Sequence, residues 1–333
     1  IRREFRLKEG EVFDGSKLKR SKQRINNLNY FEDVKIDTHR GQDPDLIDVL
    51  ATVTERPTGS FSVGVGFSSI ENFIFSTSVT QDNLFGNGQR LSLNAHLSSI
   101  RTDFKINFTE PRLFDSEISF GVDAFNEDQD YISFDAQSTG GGFRLGKNLS
   151  EYDSINFKYR LANVETSGVD ASDETEFFKN GTRLTSRIAP TYVYDSRDNF
   201  LNPSSGWRHV VGFELAGLGG TKFTKHFYEV TYYHPLVGKL VAAAHARINY
   251  ADGYGNDKLP AFERFFMGGP TSLRGFNIGD VGPKNDDDDP IGGNQSLLFN
   301  LEVQYPFTKS FRGFVFYDRG NIYGGGFDTS TTS

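Results

Sequence analysis

Residues 91–98 read LSLNAHLS, with an apolar side chain at every second position and a polar side chain between each pair. Successive side chains of a β-strand point to opposite faces of the sheet, so this alternation predicts a strand with one apolar and one polar face. The pattern is not confined to one segment. It recurs at residues 61–68, 104–108, 155–161, 240–249 and 299–305.

The same criterion predicts thirteen strands after residue 57. One such strand would also suit a soluble sandwich, whose polar face meets water. Here the pattern fills most of the chain, and no helical segment is available to cover the apolar faces. A sheet of this size must close on itself or face an apolar solvent, and a membrane barrel does both. The predicted strands are 60–69, 72–81, 89–99, 101–110, 116–126, 134–147, 152–166, 183–195, 206–217, 223–235, 239–250, 294–306 and 311–323.

The predicted fold class is therefore an all-β, antiparallel transmembrane β-barrel over residues 58–333. In such a barrel the apolar face of every strand meets lipid and the polar face lines the lumen. Residues expected to face lipid include Phe104, Ile106, Phe157, Leu240 and Leu301, and those expected to face the lumen include Lys105, Lys158, Arg160 and Glu302.

Composition excludes several other classes of protein. Only 36% of the 333 residues are hydrophobic, and no apolar run approaches the roughly 18 residues that a membrane helix needs. The chain has no cysteine, which excludes disulfides, thiol catalysis and thiolate metal sites. The net charge of −8 and the lack of a basic stripe argue against nucleic acid as a partner.

The connections between the predicted strands differ at the two ends of the barrel. Short turns lie at one end, and the longer segments 167–182 and 251–293 lie at the other, which is the asymmetry of bacterial barrels. Single-chain bacterial barrels have an even number of strands, whereas thirteen is odd. Since the chain ends on Gly324-Gly325-Gly326 and a Thr/Ser tail, we expect the C-terminal strands of the barrel to be missing.

Residues 1–57 have a different pattern and predict a fragment of a small α+β module. Asp14 or Ser16 can cap a helix that runs to about Asn29. Two alternating strands follow, on either side of a turn at residues 41–45. The basic face of the helix is interpreted as a solvated surface. Residues expected on the apolar faces are Leu18, Ile25, Leu28, Val34, Ile36, Ile47, Val49, Ala51 and Val53.

No catalytic motif is present, so no catalytic residue, cofactor or metal is predicted and the chain is not expected to be an enzyme. The sequence lacks G-x-S-x-G, H-E-x-x-H and a Walker loop, and its six histidines are scattered. A hydrolase site at the barrel rim remains the minor alternative. The four acids at residues 286–289 could hold Ca²⁺, but their spacing matches no known ligand pattern, and a solvated loop is the preferred interpretation.

One motif in the long loop is informative. Leu273-Arg274-Gly275-Phe276 follows the segment FFMGG at residues 265–269. It resembles the loop-six motif of the BamA-like family of outer-membrane assembly factors. Residues 55–61 resemble that family's junction between its last POTRA domain and its first strand, and 81–88 resemble its first periplasmic turn. The resemblance covers essentially the whole chain, with the segments in the family's order.

The resemblance implies a barrel of sixteen strands, of which about thirteen are present, in a bacterial-type outer membrane. Residues 1–57 would be part of the last POTRA domain, in the periplasm, and 58–333 the barrel, truncated at its C-terminus. By the family's pattern, Arg274 folds back into the lumen toward Glu302 and Asp318. The alternation independently points Glu302 inward.

The resemblance further implies that the protein folds β-barrel proteins and inserts them into the outer membrane through a lateral seam. Its partners would be unfolded outer-membrane β-barrel clients, accessory envelope lipoproteins and outer-membrane lipids, and not nucleic acid. The gate strand would contain Gly59, Phe61, Gly64 and Gly66. A TamA-like assembly factor and a two-partner-secretion translocator remain alternatives. Residues 1–57 argue against a diffusion porin, which has no POTRA domain.

Overall fold

A computed structural model describes residues 1–43, 45–68, 70–169, 178–308 and 311–324. The expected Gly-rich end beyond Gly324 and residues 170–177, half of the segment 167–182, lie outside these residues. No helix in the described ranges is long and apolar enough to cross a membrane. Besides one α-helix, the described chain has short 3₁₀ turns at Arg2–Glu4, Leu113–Asp115 and Ala261–Glu263.

The N-terminal module consists of helix α1 (Gly15–Asn27) and the antiparallel strands β1 (Phe31–Arg40) and β2 (Ile47–Glu55). Ile25 of the helix and Val34 of β1 are buried, as their positions in the pattern predict. This order of elements confirms the predicted α+β module.

The ends of helix α1 differ slightly from the prediction. The Asp14 carboxylate accepts hydrogen bonds from the backbone N–H groups of Ser16 (2.8 Å) and Lys17 (3.3 Å), so Asp14 is the N-cap and Ser16 already lies within the helix. The helix ends two residues before the predicted Asn29, whose φ of 63° belongs to the left-handed region. Asparagine tolerates that conformation better than most residues, so it follows the helix rather than extending it.

All thirteen predicted strands of the barrel sheet are present, and their ends differ from the predicted ones by at most four residues. The strands are β3 (Gly59–Ser68), β4 (Asn72–Leu84), β5 (Gln89–Leu97), β6 (Arg101–Glu110), β7 (Ile118–Asp130), β8 (Asp135–Asn148), β9 (Asp153–Ser167), β10 (Gly181–Asp195), β11 (Gly206–Gly220), β12 (Phe223–Pro235), β13 (Val241–Gly253), β14 (Gln295–Pro306) and β15 (Arg312–Tyr323).

Each strand of this sheet pairs antiparallel with the next one in sequence, from β3 at one edge to β15 at the other. Such a meander needs only tight turns and loops between neighbours. Among the described residues, the outer edges of β3 and β15 have no pairing strand. The sheet confirms the predicted class as an antiparallel β-barrel fragment.

The two faces of the sheet divide as the alternation predicts. Phe104 and Ile106 are exposed on one face of β6. Between them Lys105 projects to the other face, where its Nζ lies 2.8 Å from the Glu127 carboxylate of β7. Arg160 of β9 reaches the same carboxylate at 2.5 Å. The polar face is therefore cross-linked by ion pairs, whereas the apolar face is left for a surrounding apolar solvent.

The loop between β13 and β14, residues 254–294, lies on the polar face and shows that this face is concave. Its residues contact strands β10, β12, β14 and β15. The Ser133 hydroxyl, in the β7–β8 connection, donates to the Pro290 carbonyl of the loop at 2.6 Å. One loop can touch such distant strands only if the sheet curves around it. An apolar cluster shared by the loop and the wall stabilises this docking. It contains Phe134, Ala136, Val169, Phe178 and Ala261.

The N-terminal module lies against the opposite end of the sheet, where the short turns are. Arg3 is 3.4 Å from the Asp115 carboxylate, and Arg112 is 3.6 Å from that of Glu4. The Tyr30 hydroxyl donates to the Gly88 carbonyl at 3.4 Å. These contacts reach the β4–β5 and β6–β7 turns, so the module and the long loop lie at opposite ends of the barrel wall.

Candidate functional site: the Arg274 clamp

The segment that carries Arg274 is folded into a compact turn. The Gly269 N–H donates to the Phe276 carbonyl at 2.9 Å, and the Ser272 hydroxyl donates to the Gly268 carbonyl at 2.8 Å. Gly275 has a φ of 91°, a conformation in which an L side chain is strained, so this position favours glycine. The turn thereby directs the Arg274 side chain away from its own loop and toward the wall.

Apolar neighbours fix the turn against the barrel. Leu273 is almost fully buried among Met267, Val281, Leu298 and Ile322, and Phe276 packs on the same cluster. Leu298 and Ile322 belong to β14 and β15, so the cluster joins loop and wall. Burial of a leucine of this kind stabilises the docked loop by about 1.5–3 kcal/mol relative to an exposed one.

Arg274 binds the two acids that the family resemblance pairs with it. Its Nε donates to Asp318 Oδ2 at 2.7 Å and its Nη2 to Asp318 Oδ1 at 2.6 Å, which is a bidentate pair. Its Nη1 donates to Glu302 Oε1 at 2.5 Å. The Asp318 side chain is only 3% exposed and that of Arg274 is 16% exposed. A charge buried this deeply requires a partner, and the three side chains compensate one another.

Four further side chains complete this clamp and were not predicted. The Arg274 guanidinium carbon lies 3.8 Å from the ring centroid of Phe316, a cation–π contact. Asn300 donates to the Ser272 carbonyl at 2.9 Å and to Asp318 at 2.8 Å. Gln304 donates to the second oxygen of Glu302 at 2.6 Å and accepts from Arg312 at 2.5 Å.

Strand parity is the signal that could have located these residues. Phe316 lies two positions before Asp318, and Asn300 and Gln304 each lie two positions from Glu302. Residues two apart on a strand share a face, so all of them project toward the loop. Phe316 looks lipid-facing by composition alone, because it is aromatic; its parity places it inside.

The four residues predicted on the gate strand lie apart from the Arg274 clamp. Gly59, Phe61, Gly64 and Gly66 all belong to β3, at the edge of the sheet opposite β15. Phe61 is 70% exposed, and a Cβ added at Gly64 would come within 2.6 Å of the Ser76 hydroxyl on β4. The structure therefore brings the motif and its acids together, and it places the predicted gate strand at a separate edge.

The described residues contain no group of three or more His, Asp or Glu side chains that could hold a metal ion. In the acidic run at 286–289, Asp288 forms an ion pair with Lys284 at 3.2 Å. What the clamp can do chemically is hold a loop in one position on the barrel wall. A bidentate pair supplies geometric specificity for this task as well as energy.

Family models match nearly the whole chain. One described as the Omp85 superfamily domain covers residues 83–333, and a POTRA model described as the surface antigen variable number repeat covers residues 1–56. The chain is 32% identical over 313 residues to the outer membrane protein assembly factor BamA of Nitratidesulfovibrio vulgaris, a match that spans 92% of this chain and 39% of the relative.

The chain is also 29% identical to the factor of the same name from Neisseria meningitidis, over 98% of this chain and 45% of the relative. It thus spans less than half the length of both curated relatives. Neither of these two relatives is named as an enzyme.

A crystal structure of BamA from Haemophilus ducreyi lacking POTRA domains 1–3 shares the fold. It superposes with a TM-score of 0.88 at 24% identity, over 97% of this chain and 69% of that chain. The family matches, this fold and the alternating faces of the sheet agree with one another. The chain therefore belongs to the Omp85 superfamily, as an outer-membrane β-barrel protein with a periplasmic POTRA module.

Proposed function

We propose that this chain supplies the barrel wall and the adjoining POTRA module of a protein that folds other β-barrel proteins and inserts them into the outer membrane. The curated relatives are named as assembly factors of this kind. The clients are unfolded outer-membrane β-barrel proteins, and outer-membrane lipids surround the apolar face. The accessory envelope lipoproteins that the resemblance implies belong to the same proposal.

The observation that carries the proposal is the outer edge of β3. Among the described residues, β3 is the first strand of the sheet and pairs with β4 on its inner side only, so in a closed barrel its outer edge pairs across the seam with the last strand. An unpaired backbone N–H or C=O group in lipid costs several kcal/mol. A client strand that pairs with this edge satisfies its own groups as well, by β-augmentation.

A lateral seam between the first and last strands explains why β3 is suited to separate from its neighbour and to pair with it again. In a closed barrel the first and last strands meet without a connecting turn, so their pairing alone holds that seam. Gly59, Gly64 and Gly66 leave β3 with few side chains to pack across it. β3 follows the POTRA module after only residues 56–58, and this short link supports a coupling between the module and the seam.

The experiment compares Ser62 on β3 with its register partner Ser78 on β4 in the full-length protein. A photoreactive amino acid is placed at one or the other position, in cells that are producing a β-barrel client. We expect client adducts from position 62 and few from position 78, because only β3 lies at the seam. Both positions face the same side of neighbouring strands, so Ser78 is a matched control.

Equal labelling from both positions would contradict the lateral-seam proposal. If a soluble passenger protein were labelled from the lumen face and released outside the cell, the secretion-translocator alternative would replace it. Depletion of the full-length protein with no loss of client insertion would contradict the assembly function itself.

A further inference from the structure

A second cluster of charges lies on the lumen side of the wall, away from the Arg274 clamp. Its centre is Glu263, on the 3₁₀ turn Ala261–Glu263 of the long loop. Glu263 is 5% exposed. A carboxylate so deeply buried requires compensation by opposite charge or hydrogen bonds.

The wall supplies that compensation from two strands. Arg187 of β10 donates to both Glu263 oxygens, at 3.0 and 3.1 Å. Lys225 of β12 forms an ion pair with the same carboxylate. Burial raises the pKa of the Glu263 carboxyl, but Lys225 and Arg187 outweigh burial and hold that pKa below its ordinary value. The loop therefore carries a fixed negative charge into a basic part of the wall.

The neighbours of this cluster hold its members in place. Arg187 also reaches the Glu214 carboxylate of β11 at 3.4 Å. The Lys225 ammonium lies 5.5 Å from the ring centroid of Phe265 in the loop. Ala261, on the same turn as Glu263, packs in the apolar cluster with Phe134 and Phe178. The ion pairs of Glu263 and the apolar packing of Ala261 thus fix the same short turn.

The two clusters have opposite polarity. At Glu263 an acid of the loop meets bases of β10 and β12, whereas at Arg274 a base of the loop meets acids of β14 and β15. A loop held at a single point can still rotate about that point. Two points on separate parts of the wall define a line across the concave face and fix both position and direction.

We propose that Glu263, with Arg187 and Lys225, is a second anchor that holds the long loop on the barrel wall independently of the Arg274 clamp. The reversed polarity also excludes a swapped docking of the loop. Exchanging the two ends would bring Glu263 against Asp318 and Glu302 and Arg274 against Arg187 and Lys225, and such like-charge contacts disfavour the wrong register. The relevance of the anchor to client insertion rests on the proposed function; the anchor itself does not.

The test measures hydrogen–deuterium exchange of loop amides in the full-length protein in lipid nanodiscs. Glu263→Gln removes the charge with little change of shape, and Glu263→Lys adds a third cation. Both should speed amide exchange over residues 259–268 by at least about tenfold, since a buried ion pair has lost one member. Exchange over residues 272–277 should change less, because Arg274 stays bound to its acids.

Asp288→Asn is the matched control, because Asp288 is an acid of the same loop in an exposed ion pair with Lys284. In this variant the amides of residues 259–268 should exchange at the wild-type rate. A second variant guards against misfolding: Lys225→Glu combined with Glu263→Lys restores one ion pair with its charges exchanged. This double variant should recover protection that Glu263→Lys alone has lost.

Exchange over 259–268 within about twofold of the control in both single variants would overturn the anchor, and so would a double variant with no recovery. Client insertion is measured on the same variants. Faster exchange with normal insertion would support the anchor and count against the role of the loop in the proposed function. Unchanged exchange with impaired insertion would overturn the anchor while leaving the proposed function in place.

Discussion

Asp318 accepts three hydrogen bonds from Arg274: from Nε at 2.7 Å, from Nη2 at 2.6 Å and from the backbone N–H at 3.0 Å. The carboxylate thus fixes the arginine's backbone as well as its side chain. One residue of β15 in this way sets both the position and the orientation of a turn that lies 44 residues earlier in the chain.

Replacing Arg274 tests how much of this clamp depends on the guanidinium. Arg274→Lys keeps the charge but loses the bidentate fork and the flat contact with Phe316, so we expect partial loss of loop docking. Arg274→Met leaves two carboxylates uncompensated and should weaken docking by about 3–5 kcal/mol. Amide exchange over residues 272–277 measures both. Equal exchange in Arg274→Lys and the wild type would mean that charge alone suffices.

The two acids of the clamp should not be equivalent. Asp318→Asn weakens three hydrogen bonds from Arg274, whereas Glu302→Gln weakens only one. We therefore expect the Asp318 variant to release the loop more completely, and its client insertion to fall further. Comparing loop exchange and client insertion in the two single variants checks this order. A larger effect from Glu302→Gln would contradict the geometry.

The apolar face is tested at Phe157 on β9. Phe157→Arg places a charge on the lipid side and should cost about 2–4 kcal/mol near the bilayer midplane. Lys158→Arg, at the next position and on the opposite face, is the control and should be close to neutral. Denaturant titration of the protein in lipid gives the free energy of unfolding for both. A neutral Phe157→Arg would mean that the alternation assigns the wrong face.

The turn between β10 and β11 should depend on pH through Asp198. The Asp198 carboxylate accepts hydrogen bonds from the N–H groups of Ser204 (2.8 Å) and Ser205 (3.1 Å) and from the Ser204 hydroxyl. Burial raises the pKa of Asp198, but these hydrogen bonds outweigh burial and lower that pKa to about 2.

A folded-state pKa below the ordinary aspartate value means that the turn is stabilised while Asp198 is ionised. That stabilisation is complete above about pH 4 and is lost as the pH falls toward 2. Amide exchange at Ser204 and Ser205, corrected for intrinsic rates, should therefore accelerate over this range. Asp198→Asn should remove the pH dependence; a variant that retains it would show that another group titrates.

Much of the fold could be predicted from local sequence because a strand's pattern is local. Each side chain alternates with its chain neighbours, so residues 91–98 and the segments like them determine where strands lie and which face is apolar. Parity also placed Glu302 on the lumen face, and the resemblance of Leu273-Arg274-Gly275-Phe276 to a known motif named Asp318 as its second acid. The observed strand ends differ from the predicted ends by a few residues, since pairing with neighbouring strands and turn geometry decide where a strand ends.

The second anchor could not be predicted in this way. Glu263 and Arg187 are 76 residues apart, and nothing in either local pattern specifies that they meet. Their contact depends on the curvature of the whole sheet and on the path of one long loop across it. The strand positions, by contrast, and the face that each strand side chain occupies follow from the local pattern, because that pattern repeats every two residues. The pairing of charges on the polar face follows from the folded chain alone, because it depends on distances between segments far apart in the sequence.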